Sequence, residues 1–405
     1  MKIESISIKN YKALKNTKVE KLPYMCVFLG INGTGKSTLF DIFSFLRDAL
    51  YDNVTVAIKK RGGFHEVISR ASDERRDSII FDIRFREDST LWKSHSPETP
   101  YQLEIKPLMS YFLEIIEENG KIIVATEKLR IQERKPGLPW KDILDSQRGS
   151  GFAISTKDGR HEREAHKIAS PDILALKGLG QFERFSTISK LRHLLEKWHI
   201  SNFSVEAART IPDIGTSQHL SATGDNLAQV TKYLYEEHRG VFEKILEKLP
   251  RRIKGLAKVE ATETVDGRIV LRFQDENFAD PFVSRYVSDG TIKMFAYMVL
   301  LNDPTPHPLL CIEEPENYLH PDLLVELAEE IREYAERGGQ VFVSTHSPDF
   351  VNGIEINELF FLEKKKGFSE IKAAADDEVI VALNKEKNPL GWLWRNHYIK
   401  GANLK

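Results

Sequence analysis

Cysteine is nearly absent from this sequence: among 405 residues only Cys26 and Cys311 occur, each inside an apolar run. In such runs cysteine behaves as a small hydrophobe, so neither a disulfide framework nor a cysteine metal site is encoded. An excess of charge of either sign is also lacking. Lysine and arginine number 58 and aspartate and glutamate 60, for a formal net charge of −2. That balance excludes a generally basic coat for indiscriminate nucleic-acid binding and leaves only local basic patches. No apolar stretch approaches the roughly 18 residues that span a bilayer, and residues 1 to 5 alternate without an apolar h-region. A soluble, cytoplasmic chain with no membrane partner is expected. No apolar seam keeps a heptad over several repeats, so a long coiled coil is not expected either.

What is present is a globular mixture, 41% hydrophobic and 29% charged. It is rich enough to bury a sizeable core, and at roughly 150 residues per domain the length predicts two or three structural units. Residues 3 to 8 alternate as a strand, with Ile3, Ser5 and Ser7 on one face and Glu4, Ile6 and Ile8 on the other. Residues 25 to 29 are an unbroken apolar run, and after Gly35 the spacing turns helical through Leu39, Ile42, Phe43, Leu46 and Leu50. From 79 to 133 the pattern predicts an antiparallel meander with strands at 79–85, 101–105, 111–117 and 121–126, the last two joined at Asn119-Gly120. Residues 134 to 182 are less regular, with a hairpin near 152–154. Helices are predicted over 184–198 and 225–249, and a hairpin over 258–273 around Asp266-Gly267. The last third alternates helices (291–301, 321–336) with buried strands (309–312, 341–344), the α/β signature of a largely parallel sheet.

Four motifs carry chemistry. Gly30-Ile31-Asn32-Gly33-Thr34-Gly35-Lys36-Ser37-Thr38 matches the phosphate-binding loop G-x-x-x-x-G-K-[ST] and falls between an apolar strand and an amphipathic helix. Its glycines let backbone N–H groups converge, the helix N-terminus adds positive potential, Lys36 supplies a point charge, and the Ser37 hydroxyl suits Mg²⁺. Second, Leu309-Leu310-Cys311-Ile312 runs into Glu313-Glu314-Pro315-Glu316, delivering carboxylates at a strand's C-terminal edge, where open α/β sheets bind nucleotides. Glu313 fits a metal ligand acting through water, and Glu314 a group that orients or deprotonates the attacking water. Third, His346 follows the apolar strand text Val341-Phe342-Val343 and is suited to contact a γ-phosphate. Fourth, Ser288-Asp289-Gly290 opens a helix, a pattern that an N-cap turn also satisfies.

Taken in order, the four motifs resemble the ATP-binding cassette ATPases of the SMC, RecF and OLD type, and in particular the compact AAA-family ATPases of bacterial anti-phage and abortive-infection modules, the AbiL- and PARIS-like subunits. In that resemblance Asn32 to Thr38 bind the nucleotide, Ser288 and Gly290 are the signature, Glu313 and Glu314 are Walker B with the catalytic glutamate, and His346 is the switch histidine. Asn317 to Pro321 match the D-loop region, and Lys12, in Ile8-Lys9-Asn10-Tyr11-Lys12, belongs to a strand motif that lies beside the nucleotide. Glu313-Glu314 departs from the usual Asp-Glu, and Arg61-Gly62-Gly63-Phe64-His65-Glu66, where a glutamine loop belongs, contains no glutamine.

The resemblance implies an α/β fold with the P-loop NTPase core of an ABC-ATPase head, a mixed sheet, and an inserted antiparallel-β plus helical lobe. The head is expected over 1–50 and 283–362, the lobe over 51–282, and a C-terminal segment over 363–405 in which Trp392 and Trp394 suit partner docking. It also implies ATP and Mg²⁺ as cofactors and a head-to-tail homodimer, or higher homo-oligomer, around two nucleotides. ATP hydrolysis is expected to regulate a separate effector such as a TOPRIM-type nuclease. A RecF-like DNA-repair ATPase, drawing on Lys59-Lys60-Arg61, Arg251-Arg252-Lys254 with Lys258, or Lys364-Lys365-Lys366 for nucleic-acid contact, is the competing reading, and a non-hydrolysing ATP-dependent scaffold is the third.

Overall fold

Short apolar runs joined through helices assemble here into a parallel sheet covered on both faces. The computed structural model describes residues 1–70, 78–87, 108–132, 139–157 and 160–401. The central sheet has six strands in the order His199–Ser201, Leu309–Glu313, Gln340–Thr345, Met25–Leu29, Leu359–Lys365 and Phe368–Ala373. The first five run parallel and the last pairs antiparallel. The register sets Thr345 opposite Leu29 and Ser344 opposite Glu313. The phosphate loop, the acidic run and His346 therefore leave the sheet at one edge.

A second, eight-stranded antiparallel sheet orders Leu14–Val19, Lys2–Tyr11, Ser78–Arg86, Leu108–Glu118, Lys121–Gln132, Lys141–Gln147, Ser150–Lys157 and Arg160–Lys167. The helix Lys36–Tyr51 lies between the two sheets. Phe40 and Phe43 meet Phe28 and Phe342 of the parallel sheet at 6.2 and 5.3 Å between ring centroids, while Phe45 meets Phe81 of the antiparallel sheet at 5.5 Å. Gln340 fastens the sheets at a further point: its amide accepts from Ile3 N at 2.8 Å and donates to Ile3 O and Pro23 O at 2.9 Å. The other face of the parallel sheet is covered by helices Leu227–Glu237, Arg239–Arg252, Asp289–Leu301 and Leu324–Glu336, with a three-stranded sheet of Leu256–Glu263, Ile269–Asp275 and Phe282–Val283 beside them. Among the described residues no helix is long and apolar enough to cross a membrane.

This is the α/β architecture with a mixed sheet that the motif order implies, but several local readings change. Ile3, Ile6 and Ile8 are all buried, because a bulge between Ile3 and Ser5 resets the alternation. The helical text of 225–249 is broken at His238, whose φ of −132° and ψ of 48° are not helical. The predicted strand at 101–105 is not one of these changes, because it lies outside the described residues. The strand His199–Ser201, inside the 51–282 span, pairs with Leu309–Glu313 in the central sheet. The C-terminal segment folds back onto the molecule: Leu390, Leu393 and Trp394 are buried, whereas Trp392 is 42% exposed and stacks on Tyr398 at 5.6 Å.

Candidate nucleotide site

The loop after Met25–Leu29 turns through Gly33 and Gly35, at φ of 81° and 101°, values that suit residues without a Cβ. The helix Lys36–Tyr51 then starts with no side-chain cap on its first N–H groups, leaving them open to an anion. Lys36 is buried and curls back over the loop, donating to Gly30 O at 2.7 Å and Ile31 O at 3.3 Å. Burial lowers its pKa, opposed by Glu314, Glu316 and Glu313. Asn32, Gly33 and Ser37 face solvent, and Thr34 is tied inward to Ile31 O at 2.8 Å.

Across the edge, burial raises the pKa of the Glu313 carboxylate, and the neighbouring Ser37 hydroxyl opposes that rise. Glu314 follows in the left-handed region at φ 44°, held by its N–H on Ser344 O at 2.8 Å. Its Oε2 accepts from Asn317 at 3.1 Å. His346 Nδ1 stands 3.5 Å from Glu314 Oε1 and 3.2 Å from Glu316 Oε1. Glu316 Oε1 also accepts from the Thr345 hydroxyl at 2.8 Å and from His346 N at 3.0 Å, while its Oε2 is buried without a partner.

The structure brings Lys36, Ser37, Glu313, Glu314 and His346 to one edge. Ser288 and Gly290 join no hydrogen bond to the phosphate loop among the described residues. Ser288 caps the helix Asp289–Leu301 through Thr291 N at 3.3 Å and is itself exposed. A Cβ on Gly290 would stand 2.7 Å from Tyr318 O, so the 288–290 turn and the 317–321 segment touch only because that residue is glycine. Lys12 is paired with Asp41 at 2.5 Å. Asp41 also accepts from Tyr11 at 2.8 Å and Arg61 at 2.7 Å, and although burial would raise its pKa, these partners hold it below its ordinary value. Arg61 thus braces the helix behind the phosphate loop, reaching Asp48 at 2.9 Å as well.

Three contributors escaped the motif reading. Glu316 was legible only as a third acid after a proline, and Asp41 as one polar residue in an apolar helix. Lys293 is a lone lysine in the run Ile292-Lys293-Met294-Phe295. Its ammonium is nearly buried and donates to Glu314 O at 3.2 Å, and burial lowers its pKa to about 8 against the pull of Glu316 and Glu314.

Solved structures share this arrangement of strands and helices. An SMC head bound to the C-winged helix domain of ScpA superposes with a TM-score of 0.54 at 12% identity, covering 92% of this chain and 97% of that one. An Smc head domain with an extended coiled coil, bound to the C-terminal domain of ScpA derived from Pyrococcus furiosus, gives 0.50 at 11% identity, covering 96% and 100%. At these identities the likeness establishes only the fold, that of an SMC head domain. No curated protein matches the sequence. A family model described as "AAA domain, putative AbiEii toxin, Type IV TA system" matches residues 25–352, from the first strand of the phosphate loop through the segment after His346, and the chain belongs to that AAA family.

Proposed function

We propose that this chain binds ATP with Mg²⁺ between two copies arranged head to tail, hydrolyses it slowly, and uses the resulting opening and closing to regulate a separate effector, a nuclease by preference, in anti-phage defence. The observation that carries the ATPase reading is the convergence of the phosphate loop, with Lys36 turned back over it, and the acids that follow Leu309–Glu313 at one edge of the parallel sheet. The Ser37 hydroxyl and the half-buried Glu313 carboxylate, beside Lys36 and a helix N-terminus free of any cap, form an oxygen donor set that suits magnesium on a polyphosphate. Bound there, the ion would neutralise phosphate charge and orient the terminal group. Asn32, Gly33, Thr34, Gly35 and Thr38 would line the phosphates with Lys36, and Lys12 would lie beside the nucleotide once released from Asp41.

Glu314 would accept the proton of the attacking water at Oε1, the oxygen that faces His346. His346, steadied by Glu316, would contact the γ-phosphate and register its loss. Ser288 and Gly290 would act on the nucleotide of the second copy. Support for that interface comes from the exposed position of Ser288 and from two exposed aromatics nearby, Tyr286 and Tyr318, of the kind that anchor protein interfaces. Each basic run considered for nucleic acid has a central residue paired with acids, Arg252 with Glu326 and Glu330, Lys60 with Asp48 and Asp52, and Lys365 with Glu370. That favours the effector reading over DNA repair.

The experiment is sedimentation of Glu314→Gln with and without ATP and Mg²⁺, alongside phosphate release by the unaltered chain. A dimer that appears only with ATP, and slow release that Glu314→Gln abolishes, are expected. A variant that stays monomeric at micromolar concentration overturns the paired arrangement, and absence of release by the unaltered chain favours the scaffold. Capture from the native host that returns this chain alone counts against an effector.

A further inference from the structure

At the opposite edge of the parallel sheet, where the strands begin, His219, Asp303 and His307 offer ligand atoms that all lie within 4.8 Å of one another. His307 precedes the strand Leu309–Glu313, so six residues of extended chain, about 20 Å, separate it from Glu313. The cluster is therefore separate from the nucleotide site. It joins two loops that enter from different elements: His219 from the stretch before helix Leu227–Glu237, and Asp303 and His307 from the stretch after helix Asp289–Leu301.

Hydrogen bonds determine which atom each residue offers. His307 Nδ1 lies 3.2 Å from Lys197 O. A carbonyl oxygen only accepts, so Nδ1 carries the proton and Nε2 presents a lone pair. That Nε2 is buried and has no hydrogen-bond partner. Asp303 is buried, its Oδ1 accepts from Thr305 N at 2.8 Å and from the Thr305 hydroxyl at 3.3 Å, and its Oδ2 is turned to His219 Nδ1 at 2.6 Å. The backbone of His219 is fixed in turn, with Asn226 donating to His219 O at 2.9 Å. On the far side, His199 stacks on His307 at 4.6 Å and has a buried, unpartnered Nε2 of its own. A histidine oriented by a backbone carbonyl and a carboxylate oriented by its own hydrogen bonds are the outer supports that metal ligands use.

We propose that His219 Nδ1, Asp303 Oδ2 and His307 Nε2 bind a zinc ion, with water in the fourth position, and that this ion pins the 210–226 loop to the base of the parallel sheet. Two imidazoles and one carboxylate suit zinc and not magnesium, which takes oxygen donors. Tetrahedral zinc sets its ligand atoms about 3.3 Å apart, so small side-chain rotations from the present spacing are sufficient. The ion supplies the partner that His307 Nε2 lacks, and it takes the place of the proton shared by His219 and Asp303.

The test is metal content of the full, untagged chain after dialysis against zinc and then metal-free buffer, together with the visible absorption of the cobalt-substituted protein and melting with and without chelator. One zinc per chain, a tetrahedral cobalt spectrum and a melting temperature lowered by chelator and restored by zinc are expected. His219→Ala, on an exposed loop, and Asp303→Asn should each cut retained zinc at least tenfold while keeping ATP binding, which verifies that they fold. A chain that retains no zinc overturns the proposal. So do variants that retain as much as the unaltered chain, since the metal then lies elsewhere.

Discussion

His346 and Glu316 meet twice: the histidine's backbone N–H donates to Glu316 Oε1 at 3.0 Å, and its ring Nδ1 stands 3.2 Å from the same oxygen. One carboxylate thus holds both the loop and the ring, which leaves Nε2 as the ring's free end. Glu316→Ala removes both contacts and strands the Thr345 hydroxyl, which also donates to that oxygen. Phosphate release is expected to fall by about 10- to 100-fold, with ATP affinity changed by no more than about threefold, because the phosphate loop is untouched. Stopped-time phosphate assays and titration with a fluorescent ATP analogue check this. Equal loss of binding and turnover would show instead that Glu316 supports the loop itself.

Lys293 ties the helix Asp289–Leu301 to the acidic segment through the Glu314 carbonyl oxygen. Lys293→Met keeps most of the volume and removes the ammonium, which burial already disfavours. Stability should hold or rise by about 1 kcal/mol, since a poorly compensated buried charge is replaced by apolar surface. Turnover should still drop severalfold, because Glu314 loses a constraint on its left-handed backbone. Chemical denaturation and phosphate release on one preparation separate the two effects, and a fall in both would refute the assigned role.

Much of this site was legible because the strands that carry it are buried on both faces and read as unbroken apolar runs ending in chemistry: Leu29 before the glycines, Ile312 before Glu313, Val343 before His346. What stayed hidden depends on contacts between distant segments. Nothing local marks the bulge that brings Ile3 to the side of Ile6 and Ile8. The strand Arg160–Lys167 alternates charged residues that remain mostly exposed, so it has no apolar period to read. His199–Ser201, at three residues, is shorter than any periodic signal. Glu316 and Lys293 matter through partners 30 and 21 positions away, His346 and Glu314 respectively.

The C-terminal segment docks through a glycine. A Cβ on Gly391 would stand 2.0 Å from Pro348 O, a backbone atom just past His346. Gly391→Ala should therefore lift the helix Leu390–Arg395 off its seat and expose Leu393 and Trp394. A loss of about 2 to 4 kcal/mol is expected, as for other overpacked and strained core sites. Tryptophan fluorescence would shift to the red before global unfolding. An unchanged denaturation midpoint would mean that the tail leaves its seat at little cost, as a segment awaiting a partner would.

Glu127 lies wholly buried where the antiparallel sheet meets the helix Ala175–Leu179, accepting from Ala175 N at 2.5 Å, Leu176 N at 2.9 Å and Tyr111 OH at 2.9 Å. Burial outweighs these three donors and raises its pKa from 4.5 to about 7. The folded chain therefore binds a proton at this site more tightly than the unfolded one does. By linkage, its contribution to stability is greatest below about pH 4.5, declines as pH rises toward about 7, and is lost above that, a swing of about 3 kcal/mol. Other carboxylates titrate in the same range, so the useful quantity is the difference from Glu127→Gln, which cannot ionise. The variant presents an NH₂ to one of the two backbone donors and should be less stable at pH 5 by about 1 to 3 kcal/mol. Its deficit should shrink as the pH is raised to about 8, because only the unaltered chain loses stability at this position. Denaturant midpoints measured across that range provide the check, and a deficit that does not change with pH would show that Glu127 is already ionised in the fold.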